Sequence, residues 1–144
     1  MSETSATHTI NNKLTTAGCF VQRVEDSLTP GVPDTFVKVP GGSPVWIEGK
    51  FKKKLPVRAS TLITLGSPKD ARLTFQANWL RRYKDNGGIA LWWLRVPNGW
   101  YLFDNKFEAI KDGFTRDFLT EKNYYETSAQ VVTRIIELAR RNGP

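Results

Sequence analysis

Two residue types that dominate catalytic and metal chemistry are nearly missing from the 144-residue chain, which has one cysteine, Cys19, and one histidine, His8. A lone cysteine excludes an intramolecular disulfide and a cysteine-based zinc centre, and a lone histidine near the N-terminus argues against histidine catalysis. No run of about 18 apolar residues occurs, and the first 20 residues lack the basic start and apolar stretch of a secretory signal, so no membrane association is expected and the location is read as cytoplasmic. Acidic residues are the minority charge, 14 against 21 Lys and Arg, for a net charge of +7. That surplus points to a polyanionic partner, nucleic acid foremost. The composition, 40% hydrophobic and 24% charged, excludes global disorder, and the length suits one domain over residues 1–144 with its own core.

The pattern of apolar residues divides the chain into short elements. Ala6, Ile10 and Leu14 are spaced as one stripe of a helix over Ser5–Thr16, ended by Gly18. Cys19–Val24, Thr35–Val39 and Val45–Phe51 read as strands, the last two as an antiparallel hairpin, with a proline-rich bend before Asp34. Lys52–Leu65 reads as a basic surface loop. Thr74 is the expected cap of a helix that places Phe75, Trp79, Leu80 and Tyr83 on its apolar face and stops at Gly87-Gly88. Ile89–Val96 is apolar enough for a central strand, and Asn98-Gly99 is the expected hairpin turn into Trp100–Phe103. Phe114, Phe118 and Leu119 are expected core contacts. Ser128 is the expected cap of a last helix, closed by Asn142-Gly143. This order predicts an α/β fold, a central mixed β-sheet flanked by α-helices.

The chemistry concentrates in the predicted hairpin. Side chains two apart on a strand share a face, so Glu48 and Lys50 project together, in a segment otherwise made of Trp46, Ile47 and Phe51. A carboxylate and an amine in that setting are costly unless they serve each other or a bound ion. Asp34, after Pro33 at the start of the partner strand, is placed to approach Glu48. Two converging carboxylates repel unless a divalent cation neutralises them. Mg²⁺, or Mn²⁺, suits the oxygens of Asp34, Glu48 and the Gly49 carbonyl, with Lys50 orienting a water or stabilising developing charge. The reaction class this implies is phosphodiester hydrolysis. Lys52, Lys53, Lys54 and Arg58 follow the same strand and are expected to contact phosphates.

Pro33-Asp34, thirteen intervening residues and then Glu48-Gly49-Lys50 resemble the PD-(D/E)xK nuclease motif. The stretch Arg23–Asp34, Trp46 before Ile47-Glu48-Gly49-Lys50, and the helix beginning Leu73-Thr74-Phe75-Gln76 are similar to phage and bacterial VRR-NUC-like nucleases, relatives of archaeal-type Holliday junction resolvases. The resemblance covers roughly Gly18–Phe103. It implies a restriction-endonuclease-like core, a metal-dependent DNA endonuclease acting on branched DNA, a homodimer, and a bacterial or phage-infected host cell. It also implies a site role for Gln76 and a further acid from the first helix. Two residues compete for that acid. Glu25 is preferred over Glu3, because Glu3 stands where chains fray.

Other readings stay open at this point: a non-catalytic DNA-binding module on a nuclease fold, a sequence-specific endonuclease of homing or restriction type, and an RNA-binding protein that reads bases through its tryptophans. Trp92, Trp93, Trp100 and Tyr101 are nonetheless expected in the core, since aromatics in an apolar strand usually are. Arg81, Arg82 and Lys84 are expected on a solvated helix face.

Overall fold

The computed structural model describes residues 2–24, 29–67 and 69–141. Its centre is a six-stranded sheet in which every strand lies beside its neighbour in sequence: β1 (Phe20–Arg23), β2 (Thr35–Lys38), β3 (Pro44–Phe51), β4 (Ile89–Val96), β5 (Gly99–Phe103) and β6 (Tyr124–Tyr125). Only β3 and β4 pair in parallel, with Glu48 opposite Trp92 and Lys50 opposite Leu94. A parallel pair needs a crossover, and α2 (Ala71–Asp85) supplies it. The expected mixed sheet with flanking helices is therefore the observed one.

Each sheet face has its own apolar core. On one face, α1 (Glu3–Thr16) and α4 (Ser128–Arg141) cover Val37, Val45, Ile47, Leu91 and Trp93. The expected stripe Ala6, Ile10 and Leu14 is fully buried there. On the other face, α2, the short α3 (Glu108–Asp112) and Phe114 pack on Ala90, Trp92 and Leu94. Trp92, Trp93 and Trp100 are buried and Tyr101 is half-buried, which removes these tryptophans as platforms for nucleic-acid bases. Phe118 and Leu119 pack against the second core as partly buried residues.

Three local readings need correction. First, α2 begins at Ala71, a turn before Thr74, because Asp70 is the cap and its Oδ1 accepts the Arg72 N–H at 3.0 Å. Its buried face is Leu73, Ala77 and Leu80, and Phe75, expected on the apolar face, is exposed. Second, α4 is capped by Thr127, not Ser128. Thr127 Oγ1 accepts the Gln130 N–H at 3.2 Å and Gln130 Oε1 accepts the Thr127 N–H at 3.1 Å, a reciprocal capping box. Asn142 and Gly143 lie outside the described residues.

Third, Val96 pairs with Gly99, so the second hairpin turns at Pro97-Asn98 and Gly99 already belongs to β5. Pro97 has no N–H with which to close a ladder against Trp100, which excludes the Asn98-Gly99 turn. A Cβ on Gly99 would also lie 2.4 Å from the Tyr124 ring.

Gly49 shows how the faces constrain each other. It points away from Glu48 and Lys50, and a Cβ there would lie 2.2 Å from the Trp93 ring. Trp93 is itself 2% exposed and cannot swing away. Gly49→Ala is therefore expected to destabilise the fold by about 3 kcal/mol through overpacking, read as a lowered midpoint in urea unfolding followed by tryptophan fluorescence.

Candidate active site

Where β2 ends, a side chain replaces its backbone. Thr35 pairs with Ile47, the last partner before the bend, and the next N–H along β3 on that side, Gly49, donates instead to Asp34 Oδ2 at 3.2 Å. Thr35 Oγ1 donates to the other oxygen, Oδ1, at 2.8 Å. The Asp34 carboxylate is thus fixed by two donors, one of them on β3. The bend before it is also fixed. Gly31 has φ +85° and lies so close to α2 that a Cβ would stand 2.3 Å from the Phe75 carbonyl oxygen, joining the loop of Asp34 to the turn that carries Gln76.

Glu48 and Lys50 share a face as their spacing requires, 3% and 7% exposed, with Lys50 Nζ 3.5 Å from Glu48 Oε2. Lys50 Nζ also donates to Gln76 Oε1 at 2.7 Å. The residue expected at the site from α2 is therefore in direct contact with the lysine. The opposite oxygen, Glu48 Oε1, is buried and without a hydrogen-bond partner, the one such side-chain atom among the described residues.

The third acid comes from α1. One carboxylate oxygen from each of Glu3, Asp34 and Glu48 lies within 4.8 Å of the others. Glu3 is exposed on its helix turn, yet its side chain reaches the buried pair. Of the two residues weighed for this role, Glu25 lies outside the described residues and Glu3 is brought to the cluster. Its signal was in the sequence: the buried stripe Leu14, Ile10, Ala6, continued one turn back, arrives at Glu3.

The electrostatics follow from the crowding. Burial raises the Glu48 pKa to about 8, with Asp34 adding to the rise and Lys50 opposing it. Burial also raises Asp34, against the hydrogen bonds from Thr35 and Gly49. Glu3 is raised by loss of water, opposed by Lys50 and reinforced by Asp34. Three carboxyls with raised pKa values and one unpartnered buried oxygen form an all-oxygen donor set that suits a hard divalent cation.

The basic residues after β3 divide into two groups. Lys52 is half-buried and donates from Nζ to the Thr64 carbonyl at 2.6 Å, whereas Lys53, Lys54 and Arg58 are exposed. On α2, Arg81 pairs with Glu108 at 2.6 Å and Lys84 donates to the Asp104 carbonyl, so the expected solvated face is partly engaged with neighbouring elements.

An archaeal Holliday junction resolvase shares this fold. The structure of Hjc from Archaeoglobus fulgidus aligns over 94% of this chain and 98% of its own, with a TM-score of 0.50 and 20% identity. The common architecture is the restriction-endonuclease-like one, a mixed sheet flanked by helices. No protein-family model and no curated protein sequence matches the chain.

The raised Glu48 pKa has a thermodynamic sign. Without a cation the folded protein keeps this proton up to about pH 8, while the unfolded chain releases it near 4.5. Between those values the folded state binds more protons, so its stability is greatest at the acid end and falls as pH rises through the window. In chelator, Tm is expected to decline between pH 5 and pH 8 (about the limits just given), and Glu48→Gln should flatten that slope.

Proposed function

We propose that this chain is a divalent-metal-dependent DNA endonuclease of the PD-(D/E)xK type, a single nuclease domain that hydrolyses phosphodiester bonds. The observation that carries the reading is the unpartnered Glu48 Oε1, buried where the carboxylates of Glu3 and Asp34 converge beside Lys50. A cation is the partner that this oxygen lacks. Glu3, Asp34 and Glu48, with the Gly49 carbonyl, would hold Mg²⁺ or Mn²⁺. A cation so held lowers the pKa of a bound water and polarises a phosphodiester.

The chain's own residues account for the remainder. Asp34 is held in place by Thr35 and Gly49, so it need not reorganise on binding. Lys50 has Nζ between Glu48 and Gln76, and there it orients the attacking water and stabilises charge developing on the phosphate. Gln76 accepts from that ammonium and fixes its direction. Lys53, Lys54 and Arg58 supply phosphate contacts at the exit of β3, with Lys52 bracing the loop from inside. Branched DNA is the proposed substrate, supported by the fold shared with a Holliday junction resolvase and by the net charge of +7. Two-fold symmetry of such DNA favours a homodimer.

Cleavage of plasmid and of a synthetic four-way junction, with Mg²⁺ or with chelator, tests the reading. Asp34→Ala, Glu48→Gln and Lys50→Ala are each expected to lose about a hundredfold or more, and Gln76→Ala about tenfold. Unchanged cleavage in Asp34→Ala and Lys50→Ala would sink the assignment. Between the two acids, the larger loss is expected for Glu3→Gln than for Glu25→Gln. Mn²⁺ should also raise the Tm of the wild-type protein in a saturable way, and Glu48→Gln should abolish that rise.

A further inference from the structure

From Lys50 to Lys69 the chain carries six cationic residues and no acidic one. Most of this stretch is the loop that leaves β3, and it is tied down at both ends and in the middle. The Lys52 N–H donates to the Arg95 carbonyl and Lys52 Nζ to the Thr64 carbonyl, at 2.9 and 2.6 Å. Ile63 is buried and exchanges two backbone hydrogen bonds with Phe114. The guanidinium of Arg116 donates to the carbonyls of Pro56 and Val57 at 3.3 and 3.4 Å. Leu55 packs inward against the core.

At the tip of this braced loop, Val57 is 95% exposed. A single exposed apolar residue is ordinary on a protein surface. This one differs in three respects: its backbone is held by Arg116, the preceding Pro56 stiffens the chain, and the charged neighbours Lys53, Lys54 and Arg58 are all cations. A braced, exposed apolar residue in a stretch whose charged residues are all cations fits DNA whose stacking is already interrupted. The cations engage phosphates while the apolar side chain enters between bases, as minor-groove wedges do. Val57 is the seventh residue after Lys50, a reach of at most about 24 Å, or about seven base-pair rises.

We infer that Pro56-Val57 is a wedge that enters the unstacked bases of branched DNA and so sets which DNA is brought to the carboxylate site. The inference rests on the nuclease reading for its substrate, and its test separates the two. An immobile four-way junction with 2-aminopurine at the branch point, and a linear duplex of the same sequence, are titrated in chelator with wild type, Val57→Ser and Lys53→Gln/Lys54→Gln. Wild-type protein is expected to raise the 2-aminopurine fluorescence of the junction.

Val57→Ser should lose that rise, and its preference for junction over duplex should fall about tenfold, as expected for one Val-sized contact, with its salt dependence unchanged. The double lysine variant should weaken on both DNAs alike and show a shallower salt dependence. A Val57→Ser protein with wild-type fluorescence rise and preference would overturn the wedge, whether or not Mg²⁺ restores cleavage. A wild-type protein that gives the Val57-dependent rise but cuts nothing with Mg²⁺ supports the wedge and sinks the nuclease reading.

Discussion

A carboxylate and an ammonium are buried side by side on the strand at the centre of this sheet, and removing both from water costs several kcal/mol per ion before their attraction offsets any of it. The neighbourhood of Glu48 and Lys50 reads as a response to that cost. Gln76 takes one hydrogen of the ammonium, Glu48 Oε2 faces it at 3.5 Å, and Glu48 itself moves toward its neutral form. What stays unanswered is Oε1. A core built only for stability would place apolar side chains at such positions. The retained charge is therefore better explained by an occupant than by packing.

The same strand carries two incompatible demands, resolved by alternation. Glu48 and Lys50 look toward α2, while Gly49 and Ile47 look toward α1 and α4. Because Gly49 has no side chain, the Trp93 ring packs directly against the strand at that position. The N–H of Gly49 is meanwhile free for Asp34, because the β2 ladder stops at Thr35 and Ile47, two residues short of Gly49. A short strand is thus part of the site: were β2 longer, a backbone carbonyl would take the place of the Asp34 carboxylate.

Much of this was legible in the sequence, and what was not had physical causes. The period of two in Val45–Phe51 placed Glu48 and Lys50 on one face, and the apolar run Ile89–Val96 identified the buried centre of the sheet. The errors were local choices between neighbours of similar chemistry: Asp70 against Thr74, Thr127 against Ser128, Pro97-Asn98 against Asn98-Gly99. In each, the decision came from a partner that a linear reading underweights, such as the missing N–H of Pro97 or the side chain of Gln130. Glu3 ranked second to Glu25 in the sequence because it stands near a terminus, and Glu25 lies outside the described residues. Ser2 caps α1, and the apolar stripe continues to the first turn, which fixes that turn on the sheet. The two-residue β6 and the short helices between β5 and α4 left only a mixed pattern, since so few residues establish no period.

The parts of the site come from residues 3, 34, 48–50 and 76, and the bond from Lys50 to Gln76 spans the crossover between β3 and β4. That bond needs α2 docked, and α2 docks by burying Leu73, Ala77 and Leu80 against side chains of β4. Both β3 and α2 precede in sequence the strand Ile89–Val96 that receives α2. A chain cut short of that strand would hold Glu3, Asp34, Glu48, Lys50 and Gln76 without the surface that brings Gln76 to Lys50. Completion of the sheet is thus the step that closes the bond from Lys50 to Gln76.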